Sequence, residues 1–331
     1  YQKVNPGEGI YKHIDYNEDG IEQNNEFVIS PNQDEATHVR VIIYSNEFVR
    51  TNNVQFNQSL QLEPKALWYN QKGVKGLLSR FSTLSNWQIT RKAQATAAVA
   101  PWNPFDRQIP DSALVNSNVL IQNSVFFNRL NQTFNMQFNW TDRQSRILLT
   151  TGVESRRNEE QQVQLRYNWS SQWSLTLDAG QGNRSNEQEN FIEQNYKIRF
   201  YTLEPGLSWQ PSGNFRLQAQ YEWNDQSNLV ELGGETARIH NLLFEAQFNK
   251  AAESAVRSSF TFGQVQFEGQ VDSPVGFAML NNLKPGANYL WTITFDRQLA
   301  RNIRLSLSYE GRKTGLAKLV HIGRAQVAAT F

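Results

Sequence analysis

The segment FRLQAQYEWN, residues 215–224, decides the reading of this chain. Phe215, Leu217, Ala219, Tyr221 and Trp223 alternate without exception with Arg216, Gln218, Gln220, Glu222 and Asn224. A period of two is the pattern of a strand with one apolar and one wet face. It recurs along the chain. Phe134, Met136, Phe138 and Trp140 interleave with amides, as do Val163, Leu165, Tyr167 and Trp169, then Tyr289, Trp291, Ile293 and Phe295, and Ile303, Leu305, Leu307 and Tyr309. Helical periodicity is confined to a short piece within residues 276–283.

Composition narrows what such strands build. Of 331 residues 39% are hydrophobic and 19% charged, while 31 Gln and 34 Asn supply about a fifth of the chain. Aromatics at 12% are too many for a disordered segment. No apolar run reaches the roughly 18 residues of a membrane-spanning helix. The absence of cysteine excludes a disulfide scaffold, a thiol nucleophile and Cys-ligated zinc. A net charge of +1 gives no electrostatic basis for binding nucleic acid.

Two architectures use many alternating strands: a soluble sandwich with an apolar interior, and a membrane barrel whose apolar face meets lipid. The faces favour the barrel. The wet face carries Gln, Asn and Arg, and the apolar face ends repeatedly in aromatics (Trp140, Trp169, Trp173, Tyr221, Trp223, Tyr309), as interfacial girdles do. The terminal Phe331, on one face with Ala329, Val327 and Ala325, has the form of a bacterial outer-membrane strand. Very short turns near 131–132, 170–171, 211–213, 250–253 and 299–301 alternate with longer loops at 142–160, 183–195, 224–235, 268–286 and 310–315, which gives eleven strands from about Asn118 onward. Upstream segments 77–92, 54–62 and 37–48 add three. The fold class expected is therefore all-β: a transmembrane antiparallel outer-membrane β-barrel of about 14 strands over residues 37–331, both barrel ends periplasmic and its outside in outer-membrane lipid. Phase slips at Gly263 and within 198–209 read as bulges or as strands leaving the membrane.

Residues 1–36 are acidic, lack alternation and are expected to form a short periplasmic extension. Asp15, Asn17, Asp19, Gly20 and Glu26 occupy positions 1, 3, 5, 6 and 12 of an EF-hand-type loop, with the Ile21 carbonyl at position 7 and Gln23 at position 9. Oxygen ligands at alternate positions, a glycine at the sharp turn and a closing carboxylate suit a structural Ca²⁺. The flanks do not read as helices, and an acidic turn held by Asx hydrogen bonds is the alternative.

The runs YKHIDYNEDGIEQNNEF, THVRV, FNQSLQLEP, SRFSTLSNWQI, LEPGLSWQPS, LGGET, LKPGANYLWTI and SLSYEGRK, with the terminal Phe, resemble the carboxy-terminal part of large, mostly uncharacterised outer-membrane proteins of Bacteroidota. The resemblance spans nearly the whole chain. It implies the barrel end of a longer polypeptide, in keeping with a chain that opens at Tyr1, and it transfers no catalytic residues. It further implies an accessory subunit of outer-membrane assembly or export machinery, in contact with other outer-membrane or periplasmic proteins.

Catalytic motifs are missing. His13, His38, His240 and His321 have no metal spacing, and there is no G-x-S-x-G elbow, P-loop or G-x-G-x-x-G. A non-enzymatic protein is expected. Wet-face Arg166, Arg216, Arg257, Arg304 and Arg324 against Asp178, Glu222, Glu245, Asp296 and Glu310 read as a lumen lattice or as a selective pore. A barrel this wide is not filled by its strands, so apolar loop residues near Trp102 to Pro110 and Val275 to Leu283 are expected to plug it or to meet a partner.

Overall fold

A computed structural model describes all residues except 17–19, 24–25, 42–47, 96–102, 106–108, 150–151, 252 and 330–331. Alternation becomes one antiparallel meander of 13 strands in sequence order. These are β5 (Thr51–Leu62), β6 (Phe81–Gln94), β7 (Leu114–Phe127), β8 (Phe134–Leu149), β9 (Gly152–Asn168), β10 (Trp173–Gln188), β11 (Tyr196–Ser212), β12 (Phe215–Asn228), β13 (Thr236–Lys250), β14 (Ser254–Glu268), β15 (Gly286–Ala300), β16 (Ile303–Thr314) and β17 (Val320–Ala329). A separate sheet of order β1-β4-β2-β3 precedes it, from β1 (Gln2–Lys3), β2 (Tyr11–His13), β3 (Phe27–Ile29) and β4 (His38–Val39). Helices α1 (Lys65–Trp68) and α2 (Gly73–Leu78) join β5 to β6, and α3 (Pro274–Leu280) lies between β14 and β15.

Register puts like with like. Leu217 faces Ala246, Ala219 faces Phe244, Phe244 faces Phe260 and Phe260 faces Trp291, so the apolar positions of neighbouring strands form one continuous face. Over β10 to β17 its side chains are largely uncovered, with Phe244 46% and Ile293 45% exposed, whereas Ile89, Val119 and Ile121 on β6 and β7 are buried. Two aromatic rows bound it. On the short-turn side Trp169 stacks on Trp173 at 5.7 Å, Trp173 on Trp209 at 5.8 Å, and Trp209 meets Phe215 edge-on at 6.1 Å. On the long-loop side the Tyr221 hydroxyl shares a 2.7 Å hydrogen bond with His240 Nδ1, and Tyr309 does the same with His321 Nδ1. Both strand histidines thus belong to the aromatic border. Phe105 lies over the same face and packs on Phe56 and Trp87 at 5.2 and 5.8 Å.

Several expectations change. The segments expected as long loops are largely strand: β8 runs on to Leu149, paired with Gly152, and β10 and β12 extend to Gln188 and Asn228. Of the strand expected at 37–48, residues 42–47 lie outside the described residues. Its described start, His38–Val39, pairs in the small sheet, which sits at the long-loop end of the large one, and Thr51 opposite Gln94 opens β5 at that same end. The described sheet has 13 strands rather than 14, and its ends open on opposite sides, not on one. Residues 1–36 were expected beside the short turns; the small sheet instead lies opposite them. Nor is Gly263 a bulge. Pairing runs unbroken through it to both neighbours, and what changes there is which face is apolar. Pro205 stays paired with Leu177, while toward β12 the ladder skips it and resumes in the same register at Gly206.

Trp291 lies across Gly311, whose absent Cβ would collide with Cε2 and Cζ2 of the indole. Gly311→Val should therefore destabilise the sheet by about 1–3 kcal/mol, as overpacking does. Trp291→Ala in the same chain should recover most of that loss. The folded fraction on unheated gel electrophoresis across a urea series measures both.

Candidate functional site

The face opposite the apolar one carries the site. Midway along the strands it is stitched by amide–carboxylate bonds: Gln220 Nε2 donates to Glu204 and Asn241 Nδ2 to Glu222, each at 2.8 Å. Of the predicted charge lattice, among the described residues, Arg324 and Glu310 form an ion pair, at 3.6 Å. Toward the long loops the same face turns apolar and is covered.

Helix α3 does the covering. Pro274 opens it, the Ser273 hydroxyl accepts the Gly276 N–H at 3.0 Å, and Asn281 closes it in the left-handed region at φ 46°. Val275 and Met279, four residues apart and so on one side of the helix, pack on Ile198 and Ala237. Leu280 joins Ile239 and Val265. Its terminal carbonyls, which no helix satisfies internally, are taken by strand side chains. Arg184 Nη1 donates to the Ala278 carbonyl at 2.9 Å and Gln226 Nε2 to that of Met279 at 3.0 Å. The cation also opposes the negative helix end.

The small sheet lies against the same end. Lys12 Nζ stands 4.8 Å over the Phe277 ring and pairs with Glu35 at 3.1 Å. The Arg312 guanidinium on β16 forks onto both oxygens of Asp34, at 3.0 and 2.8 Å, and reaches Glu35 at 3.1 Å. That hydrogen bonding holds the Asp34 carboxyl below the ordinary Asp value, against a smaller opposing effect of burial. Burial raises the Tyr1 hydroxyl, which also feels Tyr11 and, on β9, Glu154 and Arg156.

The predicted cation loop is partly visible. Asn17 and Asp19 lie outside the described residues. Asp15 Oδ2 accepts the Gly20 N–H at 2.9 Å. Glu26 is fully buried, and its Oε2 accepts the Gln23 N–H at 3.0 Å and shares a 2.9 Å bond with His13 Nε2. Asp15 Oδ1 and Glu26 Oε1 are buried with no hydrogen-bond partner among the described residues. Ile21 is exposed, and Gln23 meets Glu26 through its backbone. Burial, then the Glu26 charge, raises the neighbouring Tyr16 hydroxyl well above its ordinary value. The partnership of His13 with Glu26 has no signal in the loop spacing, since His13 precedes the loop and meets it through the β2–β3 pairing.

No family model matches the chain, and no curated protein does. Among solved structures, it is similar to the outer membrane transporter YddB from Escherichia coli at 9% identity and TM-score 0.41, covering 79% of this chain and 46% of that one. The chain thus spans about half the length of that relative. The CymD monoaromatic hydrocarbon channel follows at 10% identity and TM-score 0.32, covering 84% and 85% of the two chains. The beta domain of the Bordetella autotransporter BrkA has 10% identity and TM-score 0.27, covering 76% and 92%. No helix of the described residues is long and apolar enough to cross a membrane.

The Asp34–Arg312 contact sets a pH response. A carboxyl whose folded value lies below the ordinary 3.8 adds stability at higher pH and loses it as pH falls through the lowered value. The small sheet should therefore stay docked at pH 5 and loosen below about pH 3.8. In Arg312→Ala it should be loose at pH 5 already. Tryptic cleavage after Arg40, followed against time, reads the difference, and equal rates in the two proteins at pH 5 would refute it.

Proposed function

We propose that the chain is a closed outer-membrane β-barrel of about 14 strands and a non-enzymatic anchor or scaffold subunit of a multiprotein assembly or export complex, not an open pore. The apolar face bounded by two aromatic rows supports a lipid environment. The observation that carries the scaffold reading is the covering of the polar face at the long-loop end. Helix α3 is fixed there by Arg184 and Gln226, and the small sheet by Arg312. A barrel lumen of this width otherwise holds water. With its mouth covered, the binding surfaces left are the small sheet and the loops, and these suit other outer-membrane or periplasmic proteins.

The second reading is a passive or selective pore, which the wet polar face on the short-turn side supports. Planar-bilayer recording separates the two. The intact protein should be silent, and replacing residues 270–283 by a short Gly-Ser turn together with Arg312→Ala should produce current. A large, steady, salt-proportional current from the intact protein would establish the pore instead. Purification in mild detergent from the native membrane should bring partner chains with it.

A structural Ca²⁺ in residues 15–26 belongs to the same proposal. It is supported by two buried carboxylate oxygens with no partner among the described residues, Asp15 Oδ1 and Glu26 Oε1, which stand at loop positions 1 and 12. Asn17, Asp19, the Ile21 carbonyl and Gln23 would complete the shell. Chelator should speed proteolysis of residues 11–36 several-fold and leave the barrel intact, and Glu26→Ala should abolish that dependence. Equal cleavage with and without chelator returns the loop to an acidic turn.

A further inference from the structure

The two edges of the large sheet have the same direction. β5 starts at Thr51, opposite Gln94 beside the long loop that follows, and ends at Leu62, while β17 starts at Val320, opposite Arg312, and ends at Ala329, opposite Ile303 beside a short turn. Both therefore run from the long-loop end to the short-turn end. This follows from an odd strand number: in an antiparallel meander the first and thirteenth strands are parallel. Each is paired on one side among the described residues. Their apolar-face side chains are correspondingly open, with Leu60 47%, Leu62 54% and Val327 65% exposed. Within hydrocarbon, a row of free backbone N–H and C=O groups is not tolerated.

We infer that the seam between β5 and β17 takes one further strand, antiparallel to both, supplied by the segment of the same polypeptide that precedes Tyr1. The inference rests on the membrane-barrel reading above. A strand antiparallel to both edges runs from the short-turn end to the long-loop end. It so delivers the chain to the end where β1 (Gln2–Lys3) and the rest of the small sheet lie. That sheet sits close to the seam: Asp34 is held by Arg312 of β16 and lies in the field of Arg324 of β17. With the added strand the count becomes 14, the even number of a single-chain bacterial barrel, and both barrel ends fall on the short-turn side. The small sheet then becomes an insertion between the added strand and β5.

The edges also specify the side chains of the occupant. On β5 the apolar face presents Val54, Phe56, Leu60 and Leu62; on β17 it presents Gly323, Ala325, Val327 and Ala329, with open space where a Cβ of Gly323 would stand. A strand with apolar residues at alternate positions fits, and bulky ones fill the room beside Gly323 and Ala325.

The test uses the full-length polypeptide in its own outer membrane. Cysteine pairs joining Phe56, Leu60 or Leu62 to Gly323, Ala325 or Val327 are oxidised. With a strand between them the edges stand about 9–10 Å apart, beyond the roughly 7 Å limit of a disulfide, so no combination should cross-link. A benzophenone amino acid at Leu60 or Val327 should then photo-cross-link to a peptide upstream of Tyr1 in the same chain. A disulfide in any combination means direct closure and overturns the inference, as does a cross-link only to a second copy, to a foreign protein or to lipid. Alkaline carbonate washing of the same membranes distinguishes the two levels: release of the protein sinks the membrane reading itself, whereas retention with edge-to-edge disulfides sinks the added strand alone.

Discussion

A peptide group shut off from water must find its partner within the protein, and the rest of this structure answers to that constraint. A helix meets it within one segment; a strand meets it only through both neighbours. The meander therefore keeps register over long stretches, with β13 and β14 paired residue for residue from Thr236 and Glu268 to Lys250 and Ser254. Pro205 shows how little interruption is allowed, since it lacks the donor for one ladder and register resumes at the next residue. Gly311 shows the steric side of the same economy: its bare backbone is the bed on which Trp291 lies across the neighbouring strand.

Satisfying the backbone leaves the polar face to be dealt with. Strands of 15 to 17 residues, such as β9, β11 and β14, are longer than the roughly 9–11 needed to cross, so their long-loop ends stand clear of the apolar belt. There the apolar side chains move to the opposite face. Phe260 and Phe262 look outward, while Val265 and Phe267, past Gly263, look toward α3. Ile198 and Phe200 precede Leu203 and Leu207 in the same relation. One strand thus presents an uncovered apolar face at one end and packs against a helix at the other.

How much of this is legible in the sequence depends on the range over which each feature is encoded. Alternation is local, so FRLQAQYEWN and its relatives reveal strand, face and meander, and the eleven strands from β7 onward are where the pattern places them. The phase slips at Gly263 and at 198–209 are also legible, but their cause is not. A change of apolar face and a bulge leave the same mark on one strand, and the α3 side chains that distinguish them come from elsewhere in the chain. Loop lengths were overestimated because strand ends that are polar on both faces look like loops. The position of the small sheet was not legible, since Asp34 and Arg312 are 278 residues apart and neither is unusual in its own neighbourhood. In the acidic loop the spacing of Asp15, Gly20 and Glu26 could be read, and the role of His13 could not.

The two covers of the polar face are held by different physics. α3 places Val275, Met279 and Leu280 at 4%, 1% and 2% exposure, and each such side chain contributes about 1.5–3 kcal/mol by leaving water. The small sheet is held to the large one by Arg312 against Asp34 and Glu35, carboxylates that are 41% and 40% exposed, and ion pairs of that kind contribute about 0–1 kcal/mol each after solvent screening. The helix is accordingly a fixed part of the large sheet's fold, and the small sheet is the part that can leave. Salt and acid weaken Asp34–Arg312 and do not touch the apolar contacts of α3. The small sheet can therefore detach while α3 stays packed on the large sheet.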